Sequence, residues 1–344
     1  MIVDIREQFP EAISAILHEQ GEPTYRGSQV FRQLHKNHVG EYRLMSEIPK
    51  PLRAYLEESY PIYRPLLRQR LVSKDGTKKY LFTFPDGISI ESVLMLHKEK
   101  TGHIRHTVCL STQAGCAMGC LFCATASMGF LRNLTSGEIL SQVLEIASVE
   151  DTVIHNVVFM GMGEPLLNIE AVKRSIDLLR HKDGLHISPR RMTVSTCGLP
   201  DGIKTMASWD ADVVLAVSLH GADDETRSRL MPVNNRYPLP VLLEACRDYV
   251  ARTGKRITFE YGMIKGVNMG EDVGKRLADL LKGIPCNINL IPINPGTHGF
   301  EQANQHTQAR FHRSLSEAGL SAVIRQERGS DIQGACGQLV YRSI

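Results

Sequence analysis

The run Thr112-Gln-Ala-Gly-Cys-Ala-Met-Gly-Cys-Leu-Phe-Cys-Ala124 contains the motif that decides how this chain folds. It spaces Cys116, Cys120 and Cys123 as C-x3-C-x2-C, and no fourth cysteine follows nearby. A structural zinc ion is normally held by four ligands, whereas a cubane iron–sulfur cluster takes one cysteine thiolate per iron. Three closely spaced thiolates therefore leave one iron open to another ligand. The run predicts an enzyme with a redox cofactor.

Length and composition are those of a globular chain with a sizeable core. The 344 residues are 42% hydrophobic and carry a net charge of only +3, which does not indicate a polyanionic partner. Residues 1–7 lack the basic and apolar regions of a signal peptide, and no apolar run is long enough to span a bilayer. Eight cysteines in such a chain favour metal binding or catalysis over disulfides. We expect a cytoplasmic protein.

The first hundred residues predict a small α+β module. Helical spacing of apolar residues covers 11–20 and 27–36, and a third short helix is expected at 49–60. Alternating strands follow at 66–72, 79–84 and 89–95, with Asp-Gly turns between them. The sequence therefore predicts an accessory domain over 1–100 and a catalytic domain over 101–344.

The catalytic part alternates strands with helices, which predicts a parallel sheet and a full or partial β/α barrel. The predicted strands are 106–110, 155–160, 192–196, 213–219, 257–263, 287–292 and 322–325. The predicted helices are 136–148, 169–180, 239–253, 271–282 and 306–318, and Thr135-Ser-Gly-Glu138 reads as a capping box for the first. Functional residues of such barrels collect at the carboxyl ends of the strands.

Polar clusters stand at several of those strand ends. They are Gly161-Met-Gly-Glu-Pro165, Ser195-Thr-Cys-Gly198, Ser218-Leu-His-Gly221 and the segment ending in Asn294-Pro295. Glycine lets the backbone approach a ligand closely, and Glu164 offers an acceptor for an ammonium group. Each cluster taken alone is equally compatible with capping and turn residues.

A second notable cysteine lies near the carboxyl terminus. Cys336 stands between small residues in the polar run Gly334-Ala-Cys-Gly-Gln338, which is typical of an accessible thiol. Nearby Arg325 and Arg328 would favour its thiolate. A bystander thiol is the alternative reading for a lone cysteine.

Residues 25–341 resemble the ribosomal and transfer RNA adenine methyltransferases of the radical S-adenosylmethionine (radical SAM) class, the RlmN/Cfr family. The matching pieces are Asp75-Gly-Thr-Lys-Lys-Tyr80, Ile90-Glu-Ser-Val93, the three-cysteine loop with Gly129-Phe-Leu-Arg-Asn-Leu134, Gly161-Met-Gly-Glu-Pro165, Ser218-Leu-His220, Leu230-Met-Pro-Val-Asn234 and Ala335-Cys-Gly-Gln-Leu339. The resemblance implies an α/β fold, a radical SAM partial (β/α)6-type barrel with a small N-terminal α+β accessory domain. It also implies that Cys116, Cys120 and Cys123 hold a 4Fe-4S cluster whose open iron chelates S-adenosylmethionine.

The family resemblance implies further roles for individual residues. The expected S-adenosylmethionine contacts are Gly163, Glu164, Ser195, Ser218, Leu219, His220 and Asn294. Cys336 is expected to become S-methylcysteine at the expense of one S-adenosylmethionine, and a radical made from a second one activates that methyl for addition to an adenine carbon. Glu91 matches the proposed base, and Cys109 matches the thiol that resolves the protein–RNA adduct as a disulfide with Cys336. Proline after Glu164 favours methylation at C2 over C8.

RNA is the expected partner, together with a low-potential electron donor such as flavodoxin or ferredoxin, and we expect a monomer. Six basic residues and one acid between Arg64 and Lys79 fit phosphate contact, as does the basic run 186–191, although a solvated strand face is the other reading. Two rival functions remain open. One is a radical SAM enzyme with another substrate, such as an activator of a glycyl-radical enzyme; the other is a non-enzymatic cluster or zinc protein that binds nucleic acid. Cys197, Cys246 and Cys286 are assigned to the core.

Overall fold

A computed structural model describes residues 4–99, 101–294 and 299–340. Three short helices open the chain: α1 (Pro10–His18), α2 (Tyr25–His35) and α3 (Lys50–Ser59). Proline in the first turn starts α1 and α3, where its missing N–H is not needed. The predicted apolar faces are confirmed, because Ile13, Leu17, Val30, Phe31 and Leu34 are all buried.

Three antiparallel strands follow: β1 (Leu66–Val72), β2 (Lys78–Thr83) and β3 (Ser89–Lys98). The turns that join them are the two predicted Asp-Gly turns, in which Gly76 and Gly87 have φ values of 85° and 83°. This left-handed conformation favours glycine, since other residues would be strained there.

The rest of the described chain builds the catalytic fold. Its strands are β4 (Ile104–Cys109), β5 (Gln113–Gly115), β6 (Phe130–Asn133), β7 (Asn156–Phe159), β8 (Met192–Thr196), β9 (Val214–Ser218), β10 (Ile257–Met263), β11 (Cys286–Pro292) and β12 (Ala322–Ile324). Its helices are α4 (Ser136–Glu150), α5 (Ile169–Arg180), α6 (Pro200–Met206), α7 (Asp224–Leu230), α8 (Leu239–Thr253), α9 (Glu271–Leu280) and α10 (Gln305–Glu317). All seven predicted strands of this part and all five predicted helices are present, with small shifts at their ends.

One ten-stranded mixed sheet runs in the order β1-β2-β3-β4-β7-β8-β9-β10-β11-β12. The pairs from β4 to β12 are parallel, and this half is the predicted partial barrel. Strand β3 pairs with β4 in antiparallel fashion, so the accessory strands extend the barrel sheet without a break in the pairing. The division of the chain at residue 100 stays a prediction. No helix in the described ranges is both long and apolar enough to cross a bilayer.

The start of α4 confirms the capping box. The Glu138 N–H donates to Thr135 Oγ1 at 3.2 Å, and the Thr135 N–H donates to the Glu138 carboxylate at 2.9 Å. Helices α6 and α7 were not predicted, because seven residues are too few to show a helical period. Their starts carry readable signals, a proline in the first turn of α6 and the N-cap Asp223 of α7.

An ion cluster ties α4 to the accessory strands. Glu150 accepts hydrogen bonds from Arg70 Nε and Tyr80 OH, both at 2.7 Å, and also pairs with Lys78. Burial alone would raise the pKa of Glu150, but these three partners outweigh it and lower the pKa to about 2.

We expect Glu150→Gln to lower the free energy of unfolding at pH 7 by about 1 kcal/mol. Because the folded-state pKa lies below the ordinary value of about 4.3, the carboxylate stabilises the fold above that pH and loses its contribution as the pH falls towards 2. Urea unfolding of both proteins should therefore give a difference that shrinks below about pH 4. Glu301→Gln, which removes an exposed pair with Lys265, is the control and should change little. A Glu150→Gln difference that stays constant into acid would contradict the assignment.

Candidate active site

A cavity of about 710 Å³ opens at the carboxyl ends of the parallel strands. Eleven of the predicted site residues line it: Glu91, Cys116, Cys120, Cys123, Gly163, Glu164, Ser195, Ser218, His220, Asn294 and Cys336. The other two, Cys109 and Leu219, are buried and are not lining residues. The fold thus brings together residues from the accessory strand β3 and from the whole length of the catalytic part.

The three-cysteine loop is held by backbone hydrogen bonds. The Cys116 N–H donates to the Gly129 carbonyl at 2.8 Å, and the Leu121 N–H donates to the Leu230 carbonyl at 3.0 Å. Burial raises the pKa of Cys116 to about 11 and that of Cys120 further still, and negative charge on the neighbouring cysteines adds to both shifts. A bound cation would favour the ionised forms of Cys116 and Cys120, and the Cys123 thiol of the same loop is a third donor.

The thiols are not arranged for a single metal ion. Among the described residues, no group of three or more Cys, His, Asp or Glu side chains has that geometry. A cubane cluster binds each thiolate to a different iron, so its ligands stand farther apart than the ligands of one ion. Cys116, Cys120 and Cys123 would each supply one thiolate to such a cluster.

The turn after β7 confirms the expected need for glycine. A Cβ on Gly161 would lie 2.6 Å from the Leu110 carbonyl oxygen, and Gly163 has a φ of 98° with its Cβ position blocked by Gln113. The Glu164 carboxylate is buried, and it accepts hydrogen bonds from the Leu166 N–H at 3.0 Å and the Cys197 N–H at 2.7 Å. Burial raises the pKa of Glu164, although these two N–H groups oppose the shift. The carboxylate is held rigidly against the cavity.

His220 is oriented from both sides. It has a φ of 54°, and its Nδ1 accepts the Gly262 N–H at 2.8 Å while its carbonyl accepts from Asn268 Nδ2 at 2.8 Å. Burial lowers the pKa of His220 to about 3, with a further contribution from the charge of Arg227. The ring is therefore neutral, and because Nδ1 is an acceptor, the proton is on Nε2. Phe122 of the cysteine loop packs edge-on against it at 4.6 Å.

The segment that carries Cys336 lies across the cysteine loop. The Ala124 N–H donates to the Gly337 carbonyl at 2.7 Å, and Thr125 Oγ1 donates to the Leu339 carbonyl at 2.6 Å. Asn294 Nδ2 makes a long contact of 3.5 Å with the Cys336 carbonyl. These contacts place Cys336 at the same cavity wall as the three loop cysteines.

The turn between β1 and β2 holds the other side of this segment. Asp331 accepts hydrogen bonds from Ser73 Oγ at 2.5 Å and from the Lys74 N–H at 3.2 Å. In return, the Gly329 N–H donates to Asp75 at 3.1 Å. The Asp75-Gly76 pair was recognised as a turn, but nothing in the local sequence indicated that it clasps the Cys336 segment.

Glu91 has partners that the sequence did not identify. Its carboxylate pairs with Lys79 Nζ at 2.9 Å and accepts the Val340 N–H at 2.9 Å. Burial raises the pKa of Glu91, and the charge of Lys79 opposes this shift. The carboxylate thus lines the cavity while it fastens the end of the Cys336 segment.

The two predicted redox cysteines are neighbours with different surroundings. Cys336 is open to the cavity, yet the protein around the cavity raises its pKa, an effect that the charge of Arg325 opposes. Cys109 ends β4, where burial and then negative charge at Cys336 raise its pKa to about 12. Both are free thiols, and none of the eight cysteines forms a disulfide in this structure.

Arg325 faces the site, as expected, whereas Arg328 does not line the cavity and bonds to Gln326. Arg325 Nη1 lies 3.7 Å from Oε2 of the buried Glu260, and Glu260 Oε1 accepts from Asn289 Nδ2 at 2.9 Å. Glu260 was missed by the sequence analysis because it sits in the middle of a strand without any motif.

Cys197 belongs to the core, as predicted, and it also reaches the cavity. It is buried, but it lines the cavity and its pKa is raised by burial, then by the charges of Glu164 and Cys120. Cys246 and Cys286 are buried away from the cavity, as predicted.

The basic run of the accessory strands is largely neutralised. Arg64 pairs with Glu145, Arg70 and Lys78 with Glu150, and Lys79 with Glu91. Arg68 and Lys74 have no ion pair within the described ranges. The second basic run, 186–191, precedes β8 and so lies at the opposite end of that strand from the cavity. Of the predicted phosphate contacts, the structure therefore leaves Arg68 in β1 and Lys74 in the β1–β2 turn.

Comparisons with known proteins agree with this geometry. The model of the radical SAM superfamily matches residues 110–277, and that of the ribosomal RNA large subunit methyltransferase N-terminal domain matches residues 4–62. The chain is 47% identical to the "probable dual-specificity RNA methyltransferase RlmN" of Heliobacterium modesticaldum, over 98% of this chain and 89% of that protein. It is 43% identical to the protein of the same name from Thermotoga neapolitana, over 96% and 95%. A crystal structure of a radical SAM methyltransferase from Sphaerobacter thermophilus superposes with a TM-score of 0.92 at 41% identity, covering 98% of this chain and 99% of that one.

Proposed function

This chain belongs to the RlmN family of radical SAM RNA methyltransferases, and we propose that it methylates C2 of an adenine in ribosomal RNA and in transfer RNA. It is a transferase that uses a 4Fe-4S cluster and S-adenosylmethionine. The observation that carries the proposal is that Cys336 shares one cavity with the three loop cysteines and with Gly161, Gly163 and Glu164 of the turn after β7. A carrier thiol placed there can receive a methyl group and present it at the same site.

Cys116, Cys120 and Cys123 are proposed to hold the cluster, and the strand-end groups to hold S-adenosylmethionine. Glu164 is oriented to accept the ligand's ammonium group, and the glycines before it leave room for close backbone approach. Neutral His220 contributes an N–H from Nε2, while Ser195, Ser218, Leu219 and Asn294 complete the proposed contacts. When bound, the cluster and S-adenosylmethionine supply a carbon radical that takes a hydrogen atom from a methyl group.

Cys336 is proposed to carry the methyl group. Its sulfur attacks the methyl carbon of S-adenosylmethionine, S-adenosylhomocysteine leaves as a neutral thioether, and the thiol proton goes to solvent or to a nearby base. The raised pKa of this thiol would slow the step, and the guanidinium of Arg325 reduces that cost in part by favouring the thiolate.

Glu91 is proposed as the base that removes the ring proton of the adenine. Each of its carboxylate oxygens has one hydrogen-bond donor, Lys79 on one side and Val340 on the other, so each retains a lone pair. Its raised pKa brings it closer to the working pH of a general base than an ordinary glutamate.

Cys109 is proposed to release the product by attacking the Cys336 sulfur. A disulfide forms, the bond from that sulfur to the adenine-bound carbon breaks, and the carbon keeps the electron pair and takes up the proton of the Cys109 thiol. Because its pKa of about 12 keeps it a thiol at neutral pH, it does not compete with Cys336 for the first methyl group. We expect Cys109→Ala to accumulate a covalent RNA adduct through Cys336, with product release reduced by about 100-fold or more. Denaturing gels and mass spectrometry of the protein from cells would detect the adduct. RNA-free Cys109→Ala enzyme with normal turnover would remove Cys109 from the reaction.

The remaining proposals concern partners. The accessory part, residues 1–100, positions RNA, while residues 101–344 perform the chemistry. Arg68 and Lys74 are available for phosphate contact beside the turn that clasps the Cys336 segment. The electron comes from flavodoxin or ferredoxin, and the enzyme acts as a monomer in the cytoplasm.

Mass spectrometry of the Cys336 peptide, from protein purified out of cells, tests the function most directly. We expect one added methyl group on the sulfur, and an unmodified Cys336 in protein that methylates RNA would overturn the carrier role. Chromatography of nucleosides from the product should show 2-methyladenosine. Finding 8-methyladenosine instead would replace the C2 assignment while leaving the carrier role intact.

A further inference from the structure

Arg227 is a fully buried arginine beside the cysteine loop, and the proposed reaction does not use it. It lies in α7 with no exposed surface. Within the described ranges, no carboxylate lies within 4 Å of its guanidinium. Charged side chains are almost never fully buried unless they are paired, because removing a charge from water costs several kcal/mol. The charge of Arg227 therefore has no direct carboxylate partner within the described ranges, and the charge of Asp224 acts on it only from farther away.

Every hydrogen bond of the guanidinium goes to a neutral acceptor. Nη1 donates to Asn234 Oδ1 at 2.6 Å, and Nη2 donates to the carbonyls of Cys197 at 2.6 Å and Ser218 at 3.3 Å. Nε is buried without a partner. The nearest acid along this network is Asp224, which is reached only through the Asn234 side chain at 2.9 Å and is itself exposed to solvent.

The backbone leaves a space that is shaped for this arginine. Gly198 has a φ of 105°, and a Cβ there would lie 2.9 Å from Arg227 Nη2. A Cβ on Gly221 would lie 2.9 Å from the backbone nitrogen of Arg227. Gly198 and Gly221 lie in the loops that follow β8 and β9, so the burial of Arg227 is built into the same loops that form the site.

The cysteine loop is the neighbour that would carry a compensating charge. The Leu121 N–H, next to Cys120, donates to the carbonyl of Leu230 at the end of α7. The Cys197 carbonyl that accepts from Arg227 Nη2 belongs to a residue that lines the same cavity as Cys120. A cubane cluster with three thiolates is anionic, and it gains one further negative charge when it is reduced.

We propose that Arg227 is the buried counter-charge of the iron–sulfur cluster, and that its guanidinium stabilises the reduced form of that cluster. This inference rests on the proposed binding of the cluster by Cys116, Cys120 and Cys123. A fixed positive charge in a water-poor environment favours the state with the greater negative charge, and charge near a cluster is one of the factors that set its reduction potential. Arg227 thereby makes the cluster easier to reduce without touching the substrate.

The test compares two substitutions in the cluster-loaded enzyme. Arg227→Lys keeps the positive charge but loses the forked hydrogen bonding, whereas Arg227→Gln keeps a hydrogen-bond donor but loses the charge. Arg276→Gln is the matched control, because Arg276 is an exposed arginine of α9 that pairs with Asp223, the N-cap residue of α7. The midpoint potential of the cluster would be measured by spectroscopically monitored redox titration.

We expect Arg227→Gln to lower the equilibrium constant for reduction about tenfold, a shift of about 59 mV to lower potential for one electron. Arg227→Lys and Arg276→Gln should stay near the wild-type potential. Equal potentials in the Lys and Gln variants would overturn the proposal and leave Arg227 a purely structural residue. If Arg227→Gln folds poorly or loads little cluster, the iron retained by the two variants is compared instead. Loss of iron from Arg227→Gln but not from Arg227→Lys supports the proposal. Equal loss of iron from both variants overturns it. Absence of a 4Fe-4S cluster from the wild-type protein would instead reject the proposed function.

Discussion

Cys336→Ala should abolish RNA methylation while leaving the fold and the cluster intact. The thiol is proposed to receive and deliver the transferred carbon, so no other group can replace it, and removal of a nucleophile typically costs a factor of about 10⁴ or more. The side chain is exposed to the cavity, so truncating it creates no buried void. Quantification of methylated adenine in RNA after incubation would measure the loss, and the iron content of the variant should match the wild type.

Cys286→Ala is the matched control for this experiment. Cys286 begins β11, so it is buried at the opposite end of a cavity-lining strand. It should keep nearly full activity. Substantial methylation by Cys336→Ala would refute the carrier role, whereas equal loss in both variants would indicate damage to the fold.

Replacing any one of Cys116, Cys120 and Cys123 by alanine should remove the cluster and with it all activity. Loss of an outer-shell contact already weakens metal binding by 10- to 100-fold, so loss of a direct ligand should lower the retained iron by about 100-fold or more. Iron analysis and the visible absorption of anaerobically purified protein would measure this. Reductive cleavage of S-adenosylmethionine should fall to background in the same variants.

Cys197→Ser tests whether the loss is specific to the three loop cysteines. Cys197 lines the same cavity, and its pKa is raised by burial and then by the charges of Glu164 and Cys120. It lies outside the C-x3-C-x2-C motif. We expect this variant to keep its iron. If Cys197→Ser loses iron as completely as Cys120→Ala, then Cys197 is a ligand and the three-cysteine assignment is wrong.

Most of the helices and strands could be predicted because their signals are local. The capping box at Thr135 and the Asp-Gly turns depend on residues a few positions apart. Helices α6 and α7 were not predicted, because each has only seven residues. The family resemblance placed the site residues on strand ends, and eleven of thirteen line one cavity.

Contacts between distant parts of the chain were not predicted from the sequence. Lys79 pairs with Glu91 across β2 and β3, and Asp331 reaches the Ser73 turn, yet neither contact has a local pattern. The basic run of the accessory strands looked like a phosphate site, because its acidic partners Glu145 and Glu150 lie in α4, far along the chain. Counting charges in a window cannot reveal such neutralisation.

By itself, the sequence determined the chemistry of this protein. The spacing of Cys116, Cys120 and Cys123 needs only a short loop, so it can be read directly, and the ordered motifs identify the family. Tertiary structure alone decided what surrounds that loop. The burial of Arg227, the access to Cys336 and the burial of Cys109 all depend on which strands and turns enclose them, and enclosure is a property of packing.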